Sequence, residues 1–188
     1  IASGRWWSYL CSDSECCPED GRPLPDTPSL TQDSLSKRHE TWLRWLNLVN
    51  LFSIREKTIE IDSDSEILLR QSLDDLAIRD CILNHLAITP ESQQSWTRIF
   101  EMFINSDQSY NSHVFYSLSA AIHFSNGDTD KAEFFTNQSL LANPTYSLAL
   151  LMQHGLEIGM DSKKVVAAFT HYCADELLKN TPEPRITC

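Results

Sequence analysis

The last third of the chain is punctuated so regularly that little choice of fold remains. Between Ser112 and Lys179, four stretches of helical pattern are separated by Asn126-Gly127-Asp128, Asn143-Pro144 and Gly159. Glycine and asparagine end a helix by taking the left-handed conformation after its last turn. Proline cannot continue one, and aspartate caps the next. The spacing predicts helices over 112–125, 129–142, 146–158 and 162–179. Their connections are too short for anything but neighbouring antiparallel helices.

Helical pattern also dominates the middle of the chain. From about Leu35, Trp42, Trp45, Leu46, Val49 and Phe52 recur at helical spacing between polar positions. Residues 56–63 alternate briefly and read as an extended connection. A long helix is predicted over 65–86, with a stripe of Leu69, Leu73, Leu76 and Leu83. Thr89-Pro90-Glu91 reads as an N-cap, a proline in the first turn and an acid beside the helix dipole, opening a helix with Trp96, Ile99, Phe100, Phe103 and Ile104.

The N-terminus differs. Residues 5–11, RWWSYLC, fit one β-strand with Arg5, Trp7, Tyr9 and Cys11 on one side and Trp6, Ser8 and Leu10 on the other. Residues 12–34 hold Pro18, Pro23, Pro25 and Pro28 among many acids and serines, the pattern of a long loop. The predicted fold is therefore mainly α. A short N-terminal strand and proline-rich connector occupy 1–34, and a helical domain occupies 35–188. The chain opens on Ile1, which reads as a piece cut from a longer protein.

With 188 residues and 41% apolar content, one sizeable core is affordable. A net charge of −11 repels phosphate backbones and anionic lipid, so nucleic acid and membrane are excluded as expected partners. No apolar run approaches the roughly 20 residues of a membrane span. A cytoplasmic protein is expected.

The punctuation in 112–179 carries a further pattern. Tetratricopeptide repeats are helical hairpins of about 34 residues, with small residues where helices cross and proline after the second helix. Gly127-Asp128 falls in the turn, Ala120, Ala132 and Ser139 at the small positions, Pro144 at the end, and Tyr116 at the large aromatic position. A second copy one repeat later places Leu150 at the Tyr116 position. It replaces a small residue by His154, which is expected to widen that crossing. A generic antiparallel bundle remains the competing reading. The surface with Tyr116, His123, Leu150 and His154 is the candidate groove for a protein or peptide partner, including an N-terminal region of the same protein upstream of Ile1.

Chemistry is sparse. Cys11, Cys16 and Cys17 form C-x4-C-C. Three readings stay open: reduced thiols packed under the tryptophans, which we prefer; a disulfide from Cys11 to Cys16 or Cys17; and a zinc site with His39 folded back as fourth ligand. Asp80 falls within the leucine stripe of 65–86, where a carboxylate needs a partner. It reads first as a structural carboxylate bonded to an indole, a helix N-terminus or an arginine such as Arg5 or Arg98, and second as a general base. Arg79 is placed at the rim. The histidines show no metal-ligand spacing, no phosphate-cradling glycine loop is present, and no cofactor is expected.

Three stretches resemble one family. RWWSYLC with CCPEDGRPLP, LDDLAIRDCIL, and GDTDKAEFFTNQSLLANPTYSLALLMQHGLEIGM look like the signature regions, in order, of the actinobacterial domain-of-unknown-function family 4192. The resemblance implies an additional α/β portion upstream and no assigned reaction. An interaction or scaffold module is the first functional expectation. An enzyme completed by an upstream region is the second, and a zinc-stabilised structural module the third.

Overall fold

The computed structural model describes residues 32–54, 59–106 and 110–173. The expected strand at 5–11, Cys11, Cys16, Cys17, most of the proline-rich connector and the tail beyond 173 lie outside the described residues. Within them, all regular structure is helical. Eight α-helices follow in order: α1 Gln32–Ile54, α2 Ser63–Ser72, α3 Leu76–Ile88, α4 Gln93–Asn105, α5 Ser112–Ser125, α6 Thr129–Ala142, α7 Ser147–Glu157 and α8 Ser162–Cys173.

Helix α1 buries Trp45, Leu48, Val49 and Phe52, one face of a 3.6-residue period. Trp42, placed in this stripe by spacing, is half-buried at its edge. Helix α4 buries Trp96, Ile99, Phe100 and Phe103 as expected. Aromatic rings knit these helices together: Trp45 lies 5.9 Å from Trp96 and 5.6 Å from Phe103, and Phe103 stacks on Phe115 of α5 at 4.7 Å.

The single helix expected over 65–86 is two helices. At Leu73, Asp74 and Asp75 the backbone tightens, each N–H bonding to the carbonyl three residues back. Asp75 turns extended and caps α3 by accepting from the Ala77 N–H at 3.0 Å. Two consecutive short acids compete for backbone donors, which is why they favour caps over helix interiors. The break resets the phase of the apolar face. Leu76, expected inside, is 41% exposed, while Ile78, Ile82, Leu83 and Leu86 are buried.

Arg70, in the last turn of α2, is only 1% exposed and is built into the core. Its guanidinium donates to Glu66 Oε1 at 2.8 Å, to the Tyr110 carbonyl at 2.7 Å, to Ser106 Oγ at 2.6 Å and to the Phe103 carbonyl. It also lies over the Phe103 and Phe115 rings. One side chain thus fastens the α4–α5 connection to α2. Nothing in the spacing of the sequence singled it out.

Helix α5 is buried on nearly all sides, with Val114, Phe115, Leu118, Ala121, Ile122 and Phe124 in the core. Helices α3, α4, α6, α7 and α8 all pack against it. The α5–α6 turn is a Schellman motif. Gly127 (φ 75°) donates to the Phe124 carbonyl, Asp128 donates to the His123 carbonyl, and Asp128 then caps α6. Gly159 (φ 62°) ends α7 in the same way, with Met160 bonding back to Gly155. The stops read from the sequence are therefore the stops observed. The small residue where α7 crosses α5 is Gly155, not the His154 position: a Cβ on Gly155 would come within 3.2 Å of the Phe124 ring. Helix α8 finds its longest contact on α3.

Candidate functional site

The hairpin α5–α6 closes tightly because its facing residues are small. Ala120, Ala132, Ser117 and Ser139 are buried between the helices. Ser139 donates to the His113 carbonyl at 2.7 Å, which leaves its oxygen to accept from Ser117 Oγ at 2.8 Å.

Along one edge of this hairpin the aromatic side chains form a ledge. Tyr116 and His123 lie two turns apart on α5, and Phe135 of α6 stacks on both, at centroid distances of 6.5 and 5.3 Å. Phe134, 56% exposed, meets Phe135 edge-on at 5.3 Å. His123 Nδ1 is 3.4 Å from Asp128 Oδ2, and Lys131 Nζ is 3.1 Å from the same oxygen. Burial pushes the His123 pKa below its usual value, against the pull of Asp128 and of Glu101 on α4. Asp128 itself is held lower by its hydrogen bonds at Lys131.

Two of the four expected groove residues share this ledge and two do not. Helix α7 faces the core through Leu148, Met152 and Gly155. Leu150 and His154 fall on the opposite side of that helix, and Leu150 is 44% exposed. A separate polar cleft of about 200 Å³ lies between α6 and α7, lined by Glu133, Thr136, Asn137, Gln153, Leu156 and Glu157.

Asp80 lies at a second polar cluster, beside the α2–α3 break. It is half-buried at the edge of the core and not inside a leucine stripe, since the break rotates it out. A charged neighbour of it is Arg79, 3.6 Å away; Arg5 lies outside the described residues. Arg98 donates to the Phe52 carbonyl and lies over its ring. Arg79, expected at the rim, is buried. It donates to Tyr146 Oη at 3.1 Å and lies over that ring at 5.7 Å. His113 packs edge-on to the same ring at 4.6 Å. Burial raises the Tyr146 pKa and Arg79 opposes it; burial lowers that of His113.

The neighbouring residues of the break are equally engaged. Asp75 receives two bonds from Arg38, at 2.5 and 2.9 Å. Asp74 accepts from Tyr110 Oη at 2.5 Å and from Asn111 Nδ2 at 2.9 Å. The Tyr110 pKa is raised first by that bond to the Asp74 carboxylate. These contacts tie α1, α3, the α4–α5 connection and the start of α7 to one corner.

A third histidine was not distinguished by the sequence. His85 Nδ1 accepts from the buried Trp96 indole N–H at 3.1 Å and lies 3.2 Å from Ser92 Oγ, with Trp42 edge-on to its ring. An indole N–H can only donate, so Nδ1 carries no proton and the neutral ring is protonated at Nε2. Thr89, expected as a side-chain cap, makes no such bond; its carbonyl accepts from Ser92 instead.

Among the described residues, no group of three His, Cys, Asp or Glu side chains is placed to hold a metal ion, and no helix is long and apolar enough to cross a membrane. No family model, curated protein or solved structure matches the chain.

Proposed function

We propose that this chain is a protein-interaction or scaffold module and that the Tyr116–Phe135–His123 ledge is its contact surface. The observation that carries the reading is the ledge itself: three stacked, partly buried rings with the exposed Phe134 beside them. Aromatic side chains on rigid helices are the usual anchors of protein interfaces, since they bring large area at small entropic cost. Asp128 at the ledge and Glu101 within electrostatic reach favour a partner segment with a basic residue among apolar ones.

The hairpin is read as one tetratricopeptide-like unit, supported by Ala120, Ala132 and Ser139 at its crossing and Gly127-Asp128 in its turn. Kinship with the domain-of-unknown-function family 4192 and a cytoplasmic setting belong to the same proposal. They rest on the motif order and on the acidic charge. Asp80 beside buried Arg79 is read as a structural pair and not as a general base.

Selection of a random peptide library on the purified chain tests the reading. Enriched peptides lose about tenfold or more in affinity with Tyr116→Ala or Phe134→Ala, the loss of one aromatic anchor. They keep their affinity with Leu141→Ala, an exposed residue elsewhere on α6. Enriched peptides indifferent to both ledge substitutions, or no enrichment, would overturn it.

A further inference from the structure

The cleft between α6 and α7 has a lopsided hydrogen-bonding inventory. As carboxylates, Glu133 and Glu157 only accept. Thr136 is 1% exposed and donates its one proton to the Ala132 carbonyl at 2.7 Å, so toward the cleft its oxygen is left only to accept. Asn137 and Gln153 add amide oxygens beside their donors. Among the described residues, the side chains of Glu133, Asn137, Gln153 and Glu157 make no hydrogen bond or ion pair, and no lysine or arginine lines the cleft. Glu157 is also the last residue of α7, where the negative end of the helix dipole disfavours an acid. A local rule broken without a compensating contact inside the chain marks a functional site.

We propose that this cleft is a socket for an arginine side chain of a partner protein, held by its guanidinium. A guanidinium has several N–H donors in a planar fork and no acceptor, the complement of an acceptor-rich wall. It is more weakly hydrated than an ammonium, so it enters a partly desolvated cleft at smaller cost. Leu156 gives its methylene stem an apolar contact. Volume favours a side chain over a whole small molecule. The cleft holds about 200 Å³, whereas small-molecule sites occupy roughly 300–1,000 Å³. The socket does not rest on the ledge. At 100° per residue, the face formed by Glu133, Thr136 and Asn137 centres about 150° around α6 from Phe135. Either surface can therefore fail without the other.

Nuclear magnetic resonance titration of the isotope-labelled full chain with N-acetyl-arginine amide tests this. The expected result is saturating shifts of the Asn137 and Gln153 side-chain amides, with a dissociation constant in the millimolar range. Glu133→Gln and Glu157→Gln each weaken binding about two- to fivefold, the yield of a partly exposed ion pair. Together they remove saturation over the same concentration range. Both positions are exposed, and unchanged backbone resonances in α5 and α8 check that the variants fold. Asp64→Asn, an exposed acid on α2, leaves binding unchanged and so separates the socket from the general pull of an acidic chain. Absence of saturation, shifts centred elsewhere, or saturation that survives the double substitution overturns the proposal. Equal binding of the lysine or the uncharged citrulline analogue overturns the guanidinium assignment. Tighter binding of methylguanidinium than of the capped arginine overturns the side-chain occupant.

Discussion

The hydroxyls of Ser117 and Ser139 sit 2.8 Å apart with no exposure to solvent, between α5 and α6. Each side chain is the smallest that fits while still closing the other's hydrogen bond. Ser139→Ala removes the donor to the His113 carbonyl and the acceptor for Ser117. The expected cost is about 1–3 kcal/mol, the penalty of leaving buried polar groups unmatched. The double substitution Ser117→Ala/Ser139→Ala is expected to cost less than the sum of the singles, since the two share one bond. Urea unfolding followed by circular dichroism reads both, and additive losses would show that the bond carries no coupling.

Arg70 gives a larger effect. Replacing it by alanine leaves Glu66, Ser106 and two carbonyls without their shared donor and removes the cation from two rings. A loss of about 3–5 kcal/mol is expected. Arg70→Lys is expected to recover only part of this, because an ammonium cannot reproduce the planar fork. The measurement is the denaturant midpoint of the three proteins.

The two turn glycines and the crossing glycine separate by mechanism. Gly127→Ala forces a β-carbon into the left-handed region, at a cost of roughly 1–2 kcal/mol without any clash. Gly155→Ala leaves the backbone unstrained but presses on the Phe124 ring at 3.2 Å. If the second is a packing effect, Phe124→Leu in the Gly155→Ala background relieves it, and the same change in the Gly127→Ala background does not. Thermal midpoints of the four combinations distinguish the two causes.

Acid is expected to loosen the fold. Burial is the leading cause of lowered pKa values at His85, His113 and His123, whose ordinary value is 6.5. A base whose folded pKa is depressed binds fewer protons folded than unfolded, so stability rises with pH through that window. It is fully present above about 6.5 and is lost as pH falls toward the lower folded values. Protonation of His85 at Nδ1 would also evict the Trp96 indole donor from its acceptor. Tryptophan fluorescence of urea titrations at successive pH values is the measurement. His85→Gln, which keeps an acceptor without a charge, is expected to flatten the slope.

The sequence was most legible where backbone chemistry decides the structure. Asn126-Gly127-Asp128 and Gly159 mark helix ends because left-handed residues and caps act locally. It was least legible where tertiary contacts decide. Asp74 and Asp75 look like any acids on a helix surface until Arg38, Tyr110 and Asn111 arrive to hold them, so the break between α2 and α3 was missed. Asp80 and Arg79 then exchanged their expected environments. Of the ledge, Tyr116 has a place in the repeat spacing, and His123 has none. Phe135 was not legible, because its role depends on which edge of α6 is left uncovered.

The position of α5, packed against by α3 and α4 before it and α6, α7 and α8 after it, bears on how the protein can be divided. A fragment starting at Ser112 would strip α3 and α4 from Phe115, Leu118 and Ile122. Those side chains would then face water in place of a core. The repeat-like hairpin is therefore the keel of one cooperative body, not a detachable module. Unfolding is expected to register at α1 and at α8 in the same transition.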